Sequence, residues 1–84
     1  MADIKVGKVT HYYDKIGVAV VDLEGKLAVG DNIKIVDHGN EFIQGVSSIQ
    51  FDHKTLDHGG LGQSVGLKVD QRVREGAELF KINS

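Results

Sequence analysis

Lys8, His11, Tyr12, Tyr13 and Lys15 crowd one short stretch, and this is where the chain brings the most chemistry together. Aromatic faces beside positive charge suit base stacking next to phosphate contacts, which is how proteins hold single-stranded nucleic acid. A second basic group, Lys68, Arg72 and Arg74, lies ahead of the last apolar run. The eight residues form the expected RNA-binding set, with tRNA or rRNA as ligand. A plainer role is also open to them. One of Tyr12 and Tyr13 would pack at the rim of the fold with the other in water, while Asp70 and Glu75 would balance the second group as a solvated surface.

Other chemistries fit the sequence poorly. His53 and His58 stand beside Asp52 and Asp57, an arrangement zinc could use, yet structural zinc wants four fixed ligands, usually thiolates, and there is no cysteine. No metal is expected and no cofactor is implied. Ser47, Ser48, Ser64 and Ser84 lie in no nucleophile-elbow context. Nothing suggests a pocket that would raise the pKa of a carboxylate pair. The reading is therefore of a chain that is not an enzyme.

These residues must be positioned by strands. Ile4 and Val6 alternate, but Val9 falls on the other parity, as if a β-bulge were inserted near Gly7-Lys8. Asp14-Lys15 turns into Ile16–Val21, which is apolar on both parities and so predicts a strand with little solvent exposure. Glu24-Gly25-Lys26 is a turn, Leu27 to Val29 a connector, and Gly30-Asp31 launches a strand from Asn32 to Val36 that Asp37-His38-Gly39-Asn40 closes. Glu41 to Phe51 reads as one long strand bent near Gly45, Asp52 to Gly62 as a long loop, and Ser64–Val69 and Glu78–Ile82 as the last strands. Only Asp70 to Ala77 could be helical, and Gly76 argues against continuing it. Bends and glycine corners of this kind predict a small closed six-stranded β-barrel.

The 84 residues fit one domain, expected to span 1–84, and a domain this size buries roughly 60% of its unfolded surface. Ten basic residues against twelve acidic ones give a net charge of −2, so nucleic acid would have to be attracted by a local patch. Eleven glycines and no proline put several turns in left-handed conformations. No apolar run reaches the roughly 20 residues of a membrane span. The N-terminus lacks a secretory pattern, so a cytoplasmic location is expected.

The order of the first hairpin, Leu27-x-Val29-Gly30-Asp31, a long bent strand, Gly62-x-x-Val65-Gly66-Leu67 and Arg74-Glu75-Gly76 resembles the second domain of elongation factor Tu and other translational GTPases. Similar barrels are appended to some collagenase-like peptidases and RNA-modifying proteins. The resemblance covers nearly the whole chain. It implies an all-β, elongation-factor-like module that docks RNA or a translation-associated protein. The chain carries no Gly-x-x-x-x-Gly-Lys-[Ser/Thr] phosphate loop, so no GTP binding is expected. The alternative is a protein–protein adaptor with no nucleic-acid role.

Overall fold

A computed structural model describes residues 4–51 and 54–82. Every regular element among them is a strand: β1 (Ile4–Tyr13), β2 (Val18–Leu23), β3 (Leu27–Ala28), β4 (Asn32–Asp37), β5 (Asn40–Gly45), β6 (Ile49–Phe51), β7 (Lys54–Leu56), β8 (His58–Gly59), β9 (Ser64–Lys68) and β10 (Glu78–Lys81). None of these is a helix long and apolar enough to cross a membrane. Eight strands form one antiparallel ladder in the order β5-β4-β10-β1-β2-β9-β6-β7, and β3 pairs with β8 in a second.

The all-β reading is met, whereas neither ladder closes on itself: the long one runs open from β5 to β7. The expected long strand is the main reason. Residues 41–51 divide into β5, paired with β4, and β6, paired with β7 and β9 at the far side of the ladder. What reads as a bend at Gly45 is a passage from one flank of the sheet to the other. It is fixed by reciprocal hydrogen bonds at Val46, whose amide donates to the Asp31 carbonyl at 2.8 Å and whose carbonyl accepts from Gly30 at 2.9 Å. The loop expected from Asp52 contains β7 and β8 instead. Residues 70–77 form turns, with Val73 and Ala77 buried in place of a helical face.

The bulge in β1 exists, one residue earlier than expected: against β10 the register slips between Lys5 and Gly7. The extra residue lets Val6 and Val9 both face inward despite their opposite parity. A second slip, between Val9 and His11 against β2, was not foreseen. It turns His11 outward although His11 shares the parity of Val9. Between β4 and β5, His38 and Gly39 carry φ of 49° and 100°, the two left-handed residues of a type I′ hairpin turn.

The core gathers Val6, Val9, Val21, Leu27, Ile33, Ile35, Ile49, Leu67 and Leu79, with Tyr12, Phe42 and Leu56 packed against it. Each large aliphatic side chain fully buried here contributes about 1.5–3 kcal/mol. Two polar side chains, Asp37 and Gln44, are buried as well. Gln44, 6% exposed, donates to the Lys68 carbonyl at 2.9 Å and accepts from the Asp70 amide at 2.8 Å. It thus ties the edge strand β5 to the end of β9, a flank the ladder leaves unpaired.

Candidate functional site

Strand β2 explains where the surface becomes unusual. Ala19, Val21 and Leu23 point into the core, and Val18 and Val20 point outward. An apolar run on both parities predicts cover on both faces, but the outer face has only partial cover. Val18 stands opposite Lys68, Val20 opposite Gly66, and Asp22 opposite Ser64, while Gln50 of β6 lies across from Gly66 on the other side. Tyr13 and Ile16 close one side and Phe51 the other, around a groove of about 440 Å³.

The exposures of these three, 49%, 63% and 40%, are high for side chains of their size that share one groove. Scattered apolar residues are ordinary on a surface; a contiguous set marks a contact site. Gly66 makes the hollow. A Cβ built there would come within 3.2 Å of Val18 Cγ1 and 3.9 Å of Gln50 Cβ, so any side chain at this position would occupy the floor. At one end of the groove the Ser64 hydroxyl donates to Asp22 Oδ1.

The residues expected to bind RNA are dispersed. Tyr12 packs on the core and Tyr13 lines the groove, so the two tyrosines divide between rim and solvent. The His11 and Tyr13 rings meet edge to face with centroids 4.4 Å apart, and His11 Nδ1 lies 3.4 Å from Glu75 Oε2. Lys8 is exposed across from Asp22 on β2 and Glu78 on β10. Arg74 Nε is 3.4 Å from Asp37, a buried carboxylate at the β4–β5 turn, and Arg72 is exposed on the loop before it. Lys15 sits at the hairpin tip beside Ile16, and Lys68 stands on the outer face next to Val18. Among the described residues, neither of these two lysines forms an ion pair. The positive charges therefore form no continuous patch.

The histidines scatter likewise. His38 Nε2 sits 3.1 Å from the Glu75 carbonyl, His58 beside Asp57 at 3.3 Å, and His53 and Asp52 lie outside the described residues. No group of three potential metal ligands occurs among the described residues. The resolved pKa shifts belong to Lys5 and Glu78, whose hydrogen-bonded pair at 2.9 Å holds the carboxyl below and the amine above their ordinary values. The groove was the part sequence reasoning missed. The signal was present in Ile16–Val21, whose two apolar faces cannot both be buried in one small sheet layer.

No protein-family model matches the chain. In structure, it is similar to the C-terminal domain of a protein of Geobacillus thermoleovorans assigned as a U32 peptidase: TM-score 0.87 at 23% identity, covering 93% of this chain and 91% of that one. A selenomethionine form of that domain matches with the same TM-score, covering 98% of its length. The fold is thus that of a small all-β domain, shared with the C-terminal domain of that protein.

Curated relatives agree in sequence. An uncharacterised protease of Methanocaldococcus jannaschii is 33% identical over 80 residues, and a collagenase of Porphyromonas gingivalis is 32% identical over 82. These matches take in 94% and 95% of this chain but 20% of each relative, so the chain spans about one fifth of their length.

Two expectations are corrected by these findings. The likeness lies with U32 peptidase C-terminal domains and collagenase-named proteins, not with the second domain of elongation factor Tu, and a translation-associated RNA module loses its support. The expectation of a chain apart from enzymes is overturned too, since the matched relatives are named protease and collagenase. The adaptor alternative gains no specific support from these names. The misreading has a physical cause: Gly-Asp and Glu-Gly corners report the bends of a small β-fold, and unrelated functions share such bends.

Proposed function

We propose that this chain serves a U32-type peptidase as its β domain, holding a stretch of polypeptide against the outer face of β2, β9 and β6. The observation that carries this reading is the groove lined by Tyr13, Ile16, Val18, Val20 and Phe51, found in a domain whose relatives are named for cutting polypeptides. Concave apolar surfaces with a few polar groups are where proteins take ligands. In this reading residues 1–84 act as one unit. The two ladders enclose a barrel, with Gln44 and the β3–β8 pair bridging where the long ladder stays open.

The test is site-specific photo-crosslinking. A benzophenone side chain at Phe51 or Ile16 is expected to capture unfolded casein or gelatin, and one at Ile43, an exposed side chain on the edge strand β5, is expected to capture far less. Equal capture at all three positions, or none at any, overturns the groove as the polypeptide site.

A further inference from the structure

We infer that His11 is a positioning residue for the groove: it lines no part of the groove itself, but its ring holds Tyr13 in place as one of the walls. This deepens the polypeptide-holding role proposed above and rests on it.

Tyr13 is a wall with room to turn. It ends β1, is half exposed, and borders a second hollow besides the groove, about 340 Å³ in volume and lined also by His11, Tyr12, Lys15 and Ile16. A ring turned into that hollow would leave the groove without its tyrosine wall. Side chains that must be immobilised when a ligand arrives weaken binding by the freedom they lose, so a wall fixed beforehand binds better.

His11 supplies the fixing. Side chains two apart on a strand share a face, with their Cα atoms about 6.6 Å apart. The rings of His11 and Tyr13 lean together to 4.4 Å between centroids, with their planes at 65°, the edge-to-face geometry that aromatic pairs favour. The second slip in β1, between Val9 and His11, is what turns this face outward.

His11 is held in turn by the loop before β10, where Glu75 Oε2 lies 3.4 Å from its Nδ1. Glu75 cannot drift far, because the two residues after it are bonded to Val9. The Gly76 amide donates to the Val9 carbonyl at 2.8 Å, and the Val9 amide donates to the Ala77 carbonyl at 2.7 Å. The Glu75 carbonyl also sits 3.1 Å from His38 Nε2 at the β4–β5 turn. Other charges around His11 are engaged elsewhere: Lys8, further back along β1, stands across from Asp22 and Glu78, and Arg74 lies against Asp37, while Val20 across from His11 is apolar. The braced loop therefore reaches the groove wall through Glu75 and then His11.

Two measurements test this, with His11 substituted at an exposed strand position. In the absence of any ligand, NMR couplings about the Tyr13 χ1 bond are expected to report one rotamer in the parent and rotamer averaging in His11→Ala. His11→Phe, which keeps the ring and gives up only the nitrogen facing Glu75, is expected to restore the single rotamer. In the second measurement, unfolded casein is titrated against the whole chain carrying benzophenone at Phe51. The half-saturating concentration is expected to rise about three- to tenfold in His11→Ala, the scale of one aromatic pair, and to return to within about twofold in His11→Phe. In a Tyr13→Ala background His11→Ala is expected to add nothing, as required of a residue that acts through Tyr13.

The same Tyr13 rotamer distribution in parent, His11→Ala and His11→Phe overturns the positioning role whether or not anything is captured. Averaging in His11→Ala with unchanged capture at Phe51, or an equal loss of capture with and without Tyr13, overturns it too and leaves the groove as the polypeptide site. Absence of capture by the parent removes the groove reading and this role together.

Discussion

Replacing Gly7 by alanine is a severe test of the packing, because the same substitution at Gly66 provides its control. Both glycines lie in strands, and neither has a positive φ, so alanine fits either backbone. Alanine narrows the unfolded ensemble equally at the two sites, a gain of about 0.4–1 kcal/mol. The surroundings differ. A Cβ at Gly7 would sit 2.5 Å from Val21 Cγ1 and 3.0 Å from the Asp22 carbonyl, against a comfortable carbon contact of about 3.5–4.0 Å. Val21 is wholly buried and Asp22 belongs to the β1–β2 ladder, so relief requires either a core rotamer change or a parting of the strands. Overpacking of this kind costs about 1–3 kcal/mol, leaving Gly7→Ala less stable by about 1–2 kcal/mol. For a domain of this size that lowers Tm by roughly 5–15 °C.

At Gly66 the tightest contact is 3.2 Å, to a Val18 methyl that borders the open groove and can shift outward. Gly66→Ala should therefore stay within about 0.5 kcal/mol of the parent while narrowing the hollow and weakening peptide binding. Urea denaturation followed by circular dichroism measures both. A Gly7→Ala protein as stable as the parent, or an equal loss at the two sites, would refute the reasoning.

Other outcomes follow from single contacts. Gln44→Leu should destabilise by about 1–3 kcal/mol in urea melts despite its apolar surroundings, because the Asp70 amide and the Lys68 carbonyl both lose their partner. Leu79→Ala empties a fully buried site in β10, between β1 and β4, and should cost about 2–5 kcal/mol by the same assay. The Lys5–Glu78 pair sets a pH dependence. The depressed Glu78 pKa gives stability that is present above the unfolded value and lost as pH falls below about 4, and the raised Lys5 pKa gives stability lost only as pH rises past about 10.5. Glu78→Gln should flatten the acid limb of a thermal-stability profile, and because the pair is exposed, high salt should shrink the difference.

Alternation and turn chemistry carried much of this protein in the sequence alone. Ile33 and Ile35, or Val65 and Leu67, announce inward faces by their period of two, and the opposite parity of Val6 and Val9 announces a bulge, because a strand has no other way to turn both inward. Those are local facts, fixed by sterics within a few residues. Where β5 ends and β6 begins was not legible, since Glu41 to Phe51 holds no proline and the change of partner at Val46 depends on Gly30 and Asp31, residues well upstream. The second slip in β1 likewise exists only relative to β2.

The groove needed the tertiary structure most of all. Its walls come from the hairpin tip, β2, β6 and β9, and its hollow is an absence of atoms at Gly66 that becomes a feature only once Val18 and Gln50 stand on either side. Ile16–Val21 showed that a second apolar face existed. Only the packing of β9 and β6 beside β2 decided that this face would remain open, because the chain has no further layer to cover it among the described residues.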